Sequence, residues 1–439
     1  MKRKIYNKLC EWKFSKSRKP LIVQGARQVG KSWILKEFGK NEYDHVAYIS
    51  CDNRPLAEAL FADYDMDRIL RSIEAVAKVP VLPAKTLIIL DEIQEIPAGL
   101  TALKYFCEQK PDYHVAIAGS LLGITLHQGT SFPVGKVDFM EMYPMDFEEF
   151  LWAVGENAIA SIIASADISV VGTLHDRCIE LLRQYYFVGG MPEAVAAYSS
   201  GTGVLEVRKI QKAIVEAYRN DISKHAPARE IERIQLVMQS LPAQLAKENK
   251  KFVYTAIRKG ARASGFEIAI QWLVDAGIVT RVNRVSSAKI PLAFYEDFNA
   301  FKLYLLDCGL LGAMVDAEPS DIFLGTKVFE EYKGMLTESF VLQQLVCDVT
   351  DRVYYFTSDS SRIEVDFIIA LKSEPYAIEV KAEDNLKGKS LKLFVEDQNL
   401  SRGLRFSMRP YRTQDRLTNY PLYTAFALPT WLNLSFETK

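Results

Sequence analysis

Eight residues, Gly25-Ala26-Arg27-Gln28-Val29-Gly30-Lys31-Ser32, have the types and spacing of a phosphate cradle. Glycine at both ends lets successive backbone N–H groups of Gly25, Arg27, Gln28, Val29 and Gly30 curl around an anion without steric conflict. The helix expected from Lys31 onward adds the partial positive charge of its N-terminus. Lys31 is placed to reach the outer phosphates of a nucleotide, and Ser32 offers a hydroxyl to a magnesium ion. A second element strengthens the first. Leu87-Ile88-Ile89-Leu90 is a strand-length apolar run that delivers two carboxylates, Asp91 and Glu92, at its end. Asp91 suits the Mg²⁺ shell, and Glu92 suits the catalytic base that orients and deprotonates a water. Ser120, after the apolar run Val115–Ala118 and Gly119, stands where a polar side chain would sense the γ-phosphate. ATP and Mg²⁺ are therefore the expected ligands, with hydrolysis the expected reaction.

A separate constellation lies far along the chain. Glu364-Val365-Asp366-Phe367 is followed by Ile378-Glu379-Val380-Lys381. On alternating strands, Glu364 and Asp366 share one face, as do Glu379 and Lys381. Were the strands neighbours, Asp366 and Glu379 would converge on one Mg²⁺ or Mn²⁺, with Lys381 beside them and Glu338 approaching from an amphipathic helix. That set would suit metal-assisted phosphodiester hydrolysis, the lysine steadying developing negative charge. The plainer alternative is a charged, solvated strand face.

The elements that must position these groups follow from periodicity. Leu21–Val23, His45–Ser50, Thr86–Leu90, Val115–Ala118 and Val137–Met142 read as strands, with helical patterns at Met66–Ala77 and Leu100–Gln109. Strand–helix alternation predicts a parallel sheet covered on both faces, an α/β fold. Residues 146–240 read as mostly helical. From Phe252 the order helix, Gly/Ser turn, helix with an Ile268/Trp272/Leu273 face, and short strand predicts a winged helix-turn-helix. Beyond Asp297 a further α/β segment is expected.

With 439 residues, several domains are expected. The balance of 54 basic and 55 acidic residues argues against a protein that coats nucleic acid, so DNA or RNA contact must rest on local patches. Two are visible. Between residues 247 and 289, Lys247, Lys250, Lys251, Arg258, Lys259, Arg262, Arg281, Arg284 and Lys289 face only Glu248, Glu267 and Asp275. The second patch is Lys387, Lys389, Lys392, Arg402, Arg405, Arg409 and Arg412. The six cysteines lack CxxC spacing and read as reduced thiols. The basic start of the chain lacks the apolar stretch of a signal peptide, and no run has membrane-span length, so a cytoplasmic protein is expected.

The runs GARQVGKS, YISCDN, LIILDEIQEIP, VAIAGS and MEMYPMDFEEFL resemble bacterial and archaeal AAA-type ATPases of the AAA-14 kind. The resemblance continues through FVGGMPEAV, NDI, YLLDCGLLGAM and EVDF…IEVK. It implies a P-loop ATPase domain over residues 1–150 and a helical connecting region over 151–229. A winged helix over 230–290 and a C-terminal domain over 291–439, similar to the PD-(D/E)xK nucleases, complete the expected order. Glu338, Asp366, Glu379 and Lys381 occupy the matching positions of that nuclease pattern. Homo-oligomers are expected from the resemblance. One position departs from it: Gly135-Lys136 replaces the usual Gly-Arg, and lysine lacks the guanidinium's bidentate fork. Arg219 is another basic candidate near the nucleotide. Two readings follow: an ATPase that controls a nuclease-like domain acting on nucleic acid, or a nucleotide-dependent switch whose C-terminal fold is catalytically silent.

Overall fold

Leu21-Ile22-Val23 is too short for a helix and apolar on both faces, as a strand buried in a parallel sheet must be. In the computed structural model it forms β1 (Leu21–Gln24), fully covered except at its last residue. The structure describes residues 1–119, 133–247, 250–324, 327–358, 363–382 and 389–437. They fall into two compact units.

The first unit comprises Lys2–Tyr143 with Asp275–Ile278. Its sheet adds β2 (His45–Ser50), β3 (Thr86–Asp91), β4 (His114–Gly119) and β5 (Asp138–Glu141) in the order β2-β3-β4-β1-β5. Every pairing is parallel. β3 and β4 are buried along their whole length. Ile22, Ile49, Ile88, Leu90 and Ile117 pack against Ile69 and Ile73 of the helix Met66–Ala77 and Leu103 and Phe106 of the helix Pro97–Gln109. Asp65 caps the Met66–Ala77 helix through the backbone N–H groups of Asp67 and Arg68. All five strands point the same way, so Gln24, Asp91, Gly119 and Glu141 end on one edge. That edge is where open α/β sheets hold their ligands.

The second unit comprises Met1, Pro144–Val274 and Val279–Lys439. Helices dominate up to Leu245, including Phe147–Ala153, His175–Val188, Val204–His225 and Ile231–Leu245. An eight-stranded mixed sheet follows: β6 (Val279–Val285), β7 (Glu296–Leu305), β8 (Tyr354–Thr357), β9 (Glu364–Leu371), β10 (Glu374–Lys381), β11 (Gly403–Ser407), β12 (Arg412–Gln414) and β13 (Leu417–Pro421). Its order is β12-β13-β11-β10-β9-β8-β6-β7. The run YLLDCGLLGAM is explained by packing. Asp307, fully buried, accepts the Gly190 N–H at 2.6 Å and the Leu310 N–H at 2.9 Å, the latter capping the helix Cys308–Met314.

The expected helix-turn-helix takes another form. Its first helix is only a 3₁₀ turn, Tyr254–Ala256, and a second turn covers Ala263–Gly265 before the helix Glu267–Asp275. Thr255, Ile257 and Gly260 are weak helix formers in a segment too short to offset nucleation. The expected wing is the β6–β7 hairpin, which is built into the large sheet through β8. Among the described residues no helix is long and apolar enough to cross a membrane.

Candidate functional site

The sequence from β1 into the helix Lys31–Glu42 builds a tight loop. Gly25 sits at φ +141°, and a Cβ there would lie 2.1 Å from the Met142 carbonyl oxygen, so glycine is required by the neighbouring strand end. Gln28 takes a left-handed backbone, φ +67°, and Gly30 caps the helix in the same region. Val29 is buried while Gln28 is exposed. The loop is tied down from behind by Arg3, itself buried, whose guanidinium donates to the Val29 carbonyl at 2.9 Å and the Tyr143 carbonyl at 2.7 Å. No motif announced that arginine.

Lys31 is 5% exposed and folds across the loop, donating to the carbonyls of Gly25 at 2.8 Å and Ala26 at 2.7 Å. Burial lowers its pKa to about 8, even though Glu92 and Asp91 pull in the opposite direction. Ser32 donates its hydroxyl to Asp91 Oδ1 at 2.9 Å. Asp91 Oδ2 accepts the Tyr48 hydroxyl at 2.7 Å, and the Lys36 ammonium lies 3.6 Å from the Tyr48 ring centroid. Burial and that carboxylate raise the Tyr48 pKa, so its proton stays in the hydrogen bond. The same surroundings push the Cys51 thiol up to about 12, with burial the larger cause and Asp91 next, which makes it an unreactive core residue.

Glu92 leaves β3 in the left-handed region, φ +55°, ψ +38°, a costly conformation for a side chain of this size. Its N–H donates to Ala118 at 2.8 Å, anchoring it to β4. Gln94 donates its amide N–H to Glu92 Oε2. The Gln94 amide oxygen is buried without a hydrogen-bond partner among the described residues. Ser120 lies outside the described residues. Lys136 is engaged with Glu108 at 2.9 Å, and Arg219, in the second unit, with Glu216 at 3.3 Å.

The donor set fits a magnesium–polyphosphate complex. A hydroxyl and a carboxylate already 2.9 Å apart are the hard oxygen ligands Mg²⁺ prefers, beside a cationic ammonium and a helix N-terminus. A five-stranded parallel sheet with this loop after its first strand and an acidic pair after an adjacent-but-one strand defines a P-loop NTPase. More particularly, residues 17–151 match the profile of an AAA domain, AAA_14. Residues 17–151 are thus similar to AAA-type ATPase domains. Residues 179–321 and 333–429 match two domains of unknown function, DUF8612 and DUF4143. No curated protein sequence matches the chain. Among solved structures, a Walker-type ATPase of Pyrococcus abyssi aligns at 14% identity over 72% of this chain and 95% of its own, with a TM-score of 0.45. The Orc1 protein of Aeropyrum pernix in complex with DNA aligns at 14% identity, over 72% and 91%, with a TM-score of 0.26.

The C-terminal carboxylates are arranged differently from expectation. β9 and β10 are indeed antiparallel neighbours, with Phe367 opposite Ile378. Glu379, however, lies directly across from Arg405 of β11, which donates to it at 2.9 Å, while Lys381 approaches its other oxygen at 3.3 Å. Glu338 is held by Lys250 and by the Tyr304 hydroxyl at 3.2 Å. Lys302, with no exposed surface, donates to Glu364 at 2.9 Å. Burial disfavours the Lys302 ammonium, yet Glu338, Asp366 and Glu364 together outweigh it and raise its pKa. Lys250 and Lys302 likewise lower that of Glu338 against the effect of burial. Asp366 accepts the Val380 N–H at 2.7 Å, and burial, then the Glu338 charge, raises its pKa to about 7. Among the described residues, no three His, Cys, Asp or Glu side chains come together as a metal-ligand set. Glu338, Asp366 and Glu379 do not form such a set. The second basic patch is also divided: Arg405 faces inward, Lys392 pairs with Glu396 at 4.0 Å, and Lys387 lies outside the described residues.

Proposed function

We propose that this chain is an ATP-hydrolysing switch whose second unit binds a partner and does not cut nucleic acid. The observation that carries this reading is the contrast between the two carboxylate sites. In the first, the Asp91 carboxylate accepts hydrogen bonds only from the hydroxyls of Ser32 and Tyr48 among the described residues, which supports a role for it in holding a phosphate-bound cation. In the second, Glu338, Glu364 and Glu379 are each neutralised by an internal lysine or arginine. Lys31, Ser32 and Asp91 would hold the phosphates of ATP and Mg²⁺, which supply a good leaving group and charge neutralisation when bound. Glu92 accepts the proton of the attacking water, its carboxylate steadied by Gln94. Lys136 offers a single ammonium in place of an arginine fork and is already engaged with Glu108, which favours slow hydrolysis and a long-lived ATP state.

The test measures ATP turnover and cleavage of plasmid, single-stranded DNA and RNA by one preparation with Mg²⁺ or Mn²⁺. Glu92→Gln should retain ATP and lose turnover by about 10²–10⁴-fold. No substrate should be cut, with or without ATP. Cleavage that disappears in Asp366→Ala would establish the nuclease reading and overturn this one.

A further inference from the structure

The segment from Lys251 to Phe266 contains Lys251, Arg258, Lys259 and Arg262 and no acidic residue. Arg258, Lys259 and Arg262 are exposed and carry no ion pair among the described residues. The segment is stitched to β7 at one point. The Phe252 N–H donates to the Phe301 carbonyl at 2.8 Å, and the two rings stack at 5.4 Å.

Beside that point the β6–β7 ladder slips. Asn283 pairs with Phe301 but Arg284 pairs with Asp297, so Phe298, Asn299 and Ala300 form a three-residue bulge. Bulges re-aim side chains. This one presents Phe298 with 68% of its surface exposed. The bulge is braced: Arg281 donates to the Phe298 carbonyl at 2.8 Å and lays its guanidinium 4.0 Å from the Phe301 ring centroid. Asn299 N–H is held by Asp297 Oδ1 at 2.9 Å. The acidic residues of the hairpin are occupied, Asp297 by Arg284 and Glu296 by Asn283. An exposed phenyl ring on a braced bulge thus belongs to the same hairpin to which Phe252 stitches the segment carrying Arg258, Lys259 and Arg262.

We infer that the basic segment Arg258–Arg262 and the bulge residue Phe298 form a binding surface for single-stranded polynucleotide, the ring stacking on a base and the cations following the backbone. Uncompensated positive charge selects a polyanion, and an exposed phenyl face selects one whose π-faces are accessible. A duplex buries those faces and a single strand offers them. The inference rests on the proposal that the second unit binds a partner, and names that partner by class.

The test is fluorescence anisotropy of the full chain with labelled oligo-dT and oligo-U, the matching duplex, and poly-glutamate. The inference expects single strands bound at least tenfold tighter than duplex. Phe298→Ala should weaken that binding about 5- to 100-fold, and Phe298→Trp should restore it. The triple variant Arg258→Ala/Lys259→Ala/Arg262→Ala should flatten the salt dependence by roughly 2 log units per log unit of salt. All these side chains are exposed, so an unchanged thermal midpoint confirms that each variant folds. Equal affinity for duplex, preference for poly-glutamate, or an unaffected Phe298→Ala would each overturn the assignment. Cleavage of the bound strand would refute the non-nuclease reading and leave this surface standing.

Discussion

Tyr48→Phe removes one oxygen atom and leaves the ring on which Lys36 rests. The lost hydrogen bond, 2.7 Å to a carboxylate that is 7% exposed, is of the charge-assisted kind. Such bonds contribute about 1.5–3 kcal/mol, equivalent to roughly 10- to 150-fold in an equilibrium or rate constant. Tyr48 is half-buried, so water can replace part of the bond, and the lower end, about tenfold, is expected. Ser32 still holds Asp91 Oδ1, so the carboxylate remains in place but is free to turn. The loss should therefore appear as a higher Mg²⁺ concentration for half-maximal ATP turnover, with little change in thermal midpoint. A coupled ATPase assay across a Mg²⁺ titration measures it. Wild-type Mg²⁺ dependence in a folded Tyr48→Phe protein would refute the assignment of Asp91 as the carboxylate that Tyr48 aims.

Gln94→Leu should lower kcat about tenfold with unchanged KM for ATP, because its amide N–H steadies Glu92, and an oxygen without a partner among the described residues makes its loss cheap in stability; a KM effect would contradict this. ATP affinity should fall as pH rises above about 8, where Lys31 loses its proton in the free protein and phosphate binding must restore it. Titration with a fluorescent ATP analogue between pH 7 and 9.5 reads this, and a flat profile would exclude Lys31 as the phosphate-binding cation. Asp366, with a folded pKa above its unfolded value, is less stable once ionised, so stability should decline from about pH 4 to pH 7. Asp366→Asn should abolish that slope and raise the midpoint at pH 8 in thermal denaturation. Lys302→Met should destabilise by roughly 3–5 kcal/mol, seen as a lower thermal midpoint, since Glu338, Asp366 and the half-buried Glu364 then share one cation fewer.

The nucleotide site was legible because its chemistry is local. Gly25 to Ser32 is one loop, and Asp91 and Glu92 are adjacent, so spacing alone carried the reading. Tyr48 and Arg3 were not legible as contacts. Tyr48 meets Asp91 only because β2 and β3 pair in parallel with Ser50 beside Asp91, a register no spacing encodes. Arg3 reaches Val29 and Tyr143 through tertiary packing alone. In the second unit the spacing of Asp366 and Glu379 correctly signalled neighbouring strands. What spacing missed was the cations: Lys302 arrives from β7 and Arg405 from β11, elements distant in sequence. Arg405 reads as surface charge in the sequence because a basic stretch looks the same whether one member points inward or none does. The helix expected from Phe252 is a 3₁₀ turn because an apolar pattern does not reveal that a segment is too short to propagate.

The eight-stranded sheet also sets an order of events during synthesis. β6 pairs with β7 just downstream, but its other edge is completed only by β8, after the helix Lys327–Asp348 has been made. Until then the hairpin carries an unpaired edge, a template for association with other chains. Lys302 also waits for its hydrogen-bond partner Glu364, which arrives only with β9. Closing so long a crossover is entropically slow. The nascent second unit is therefore open to misassociation until β8 has emerged, and its yield in the cell should rise with holdase chaperones.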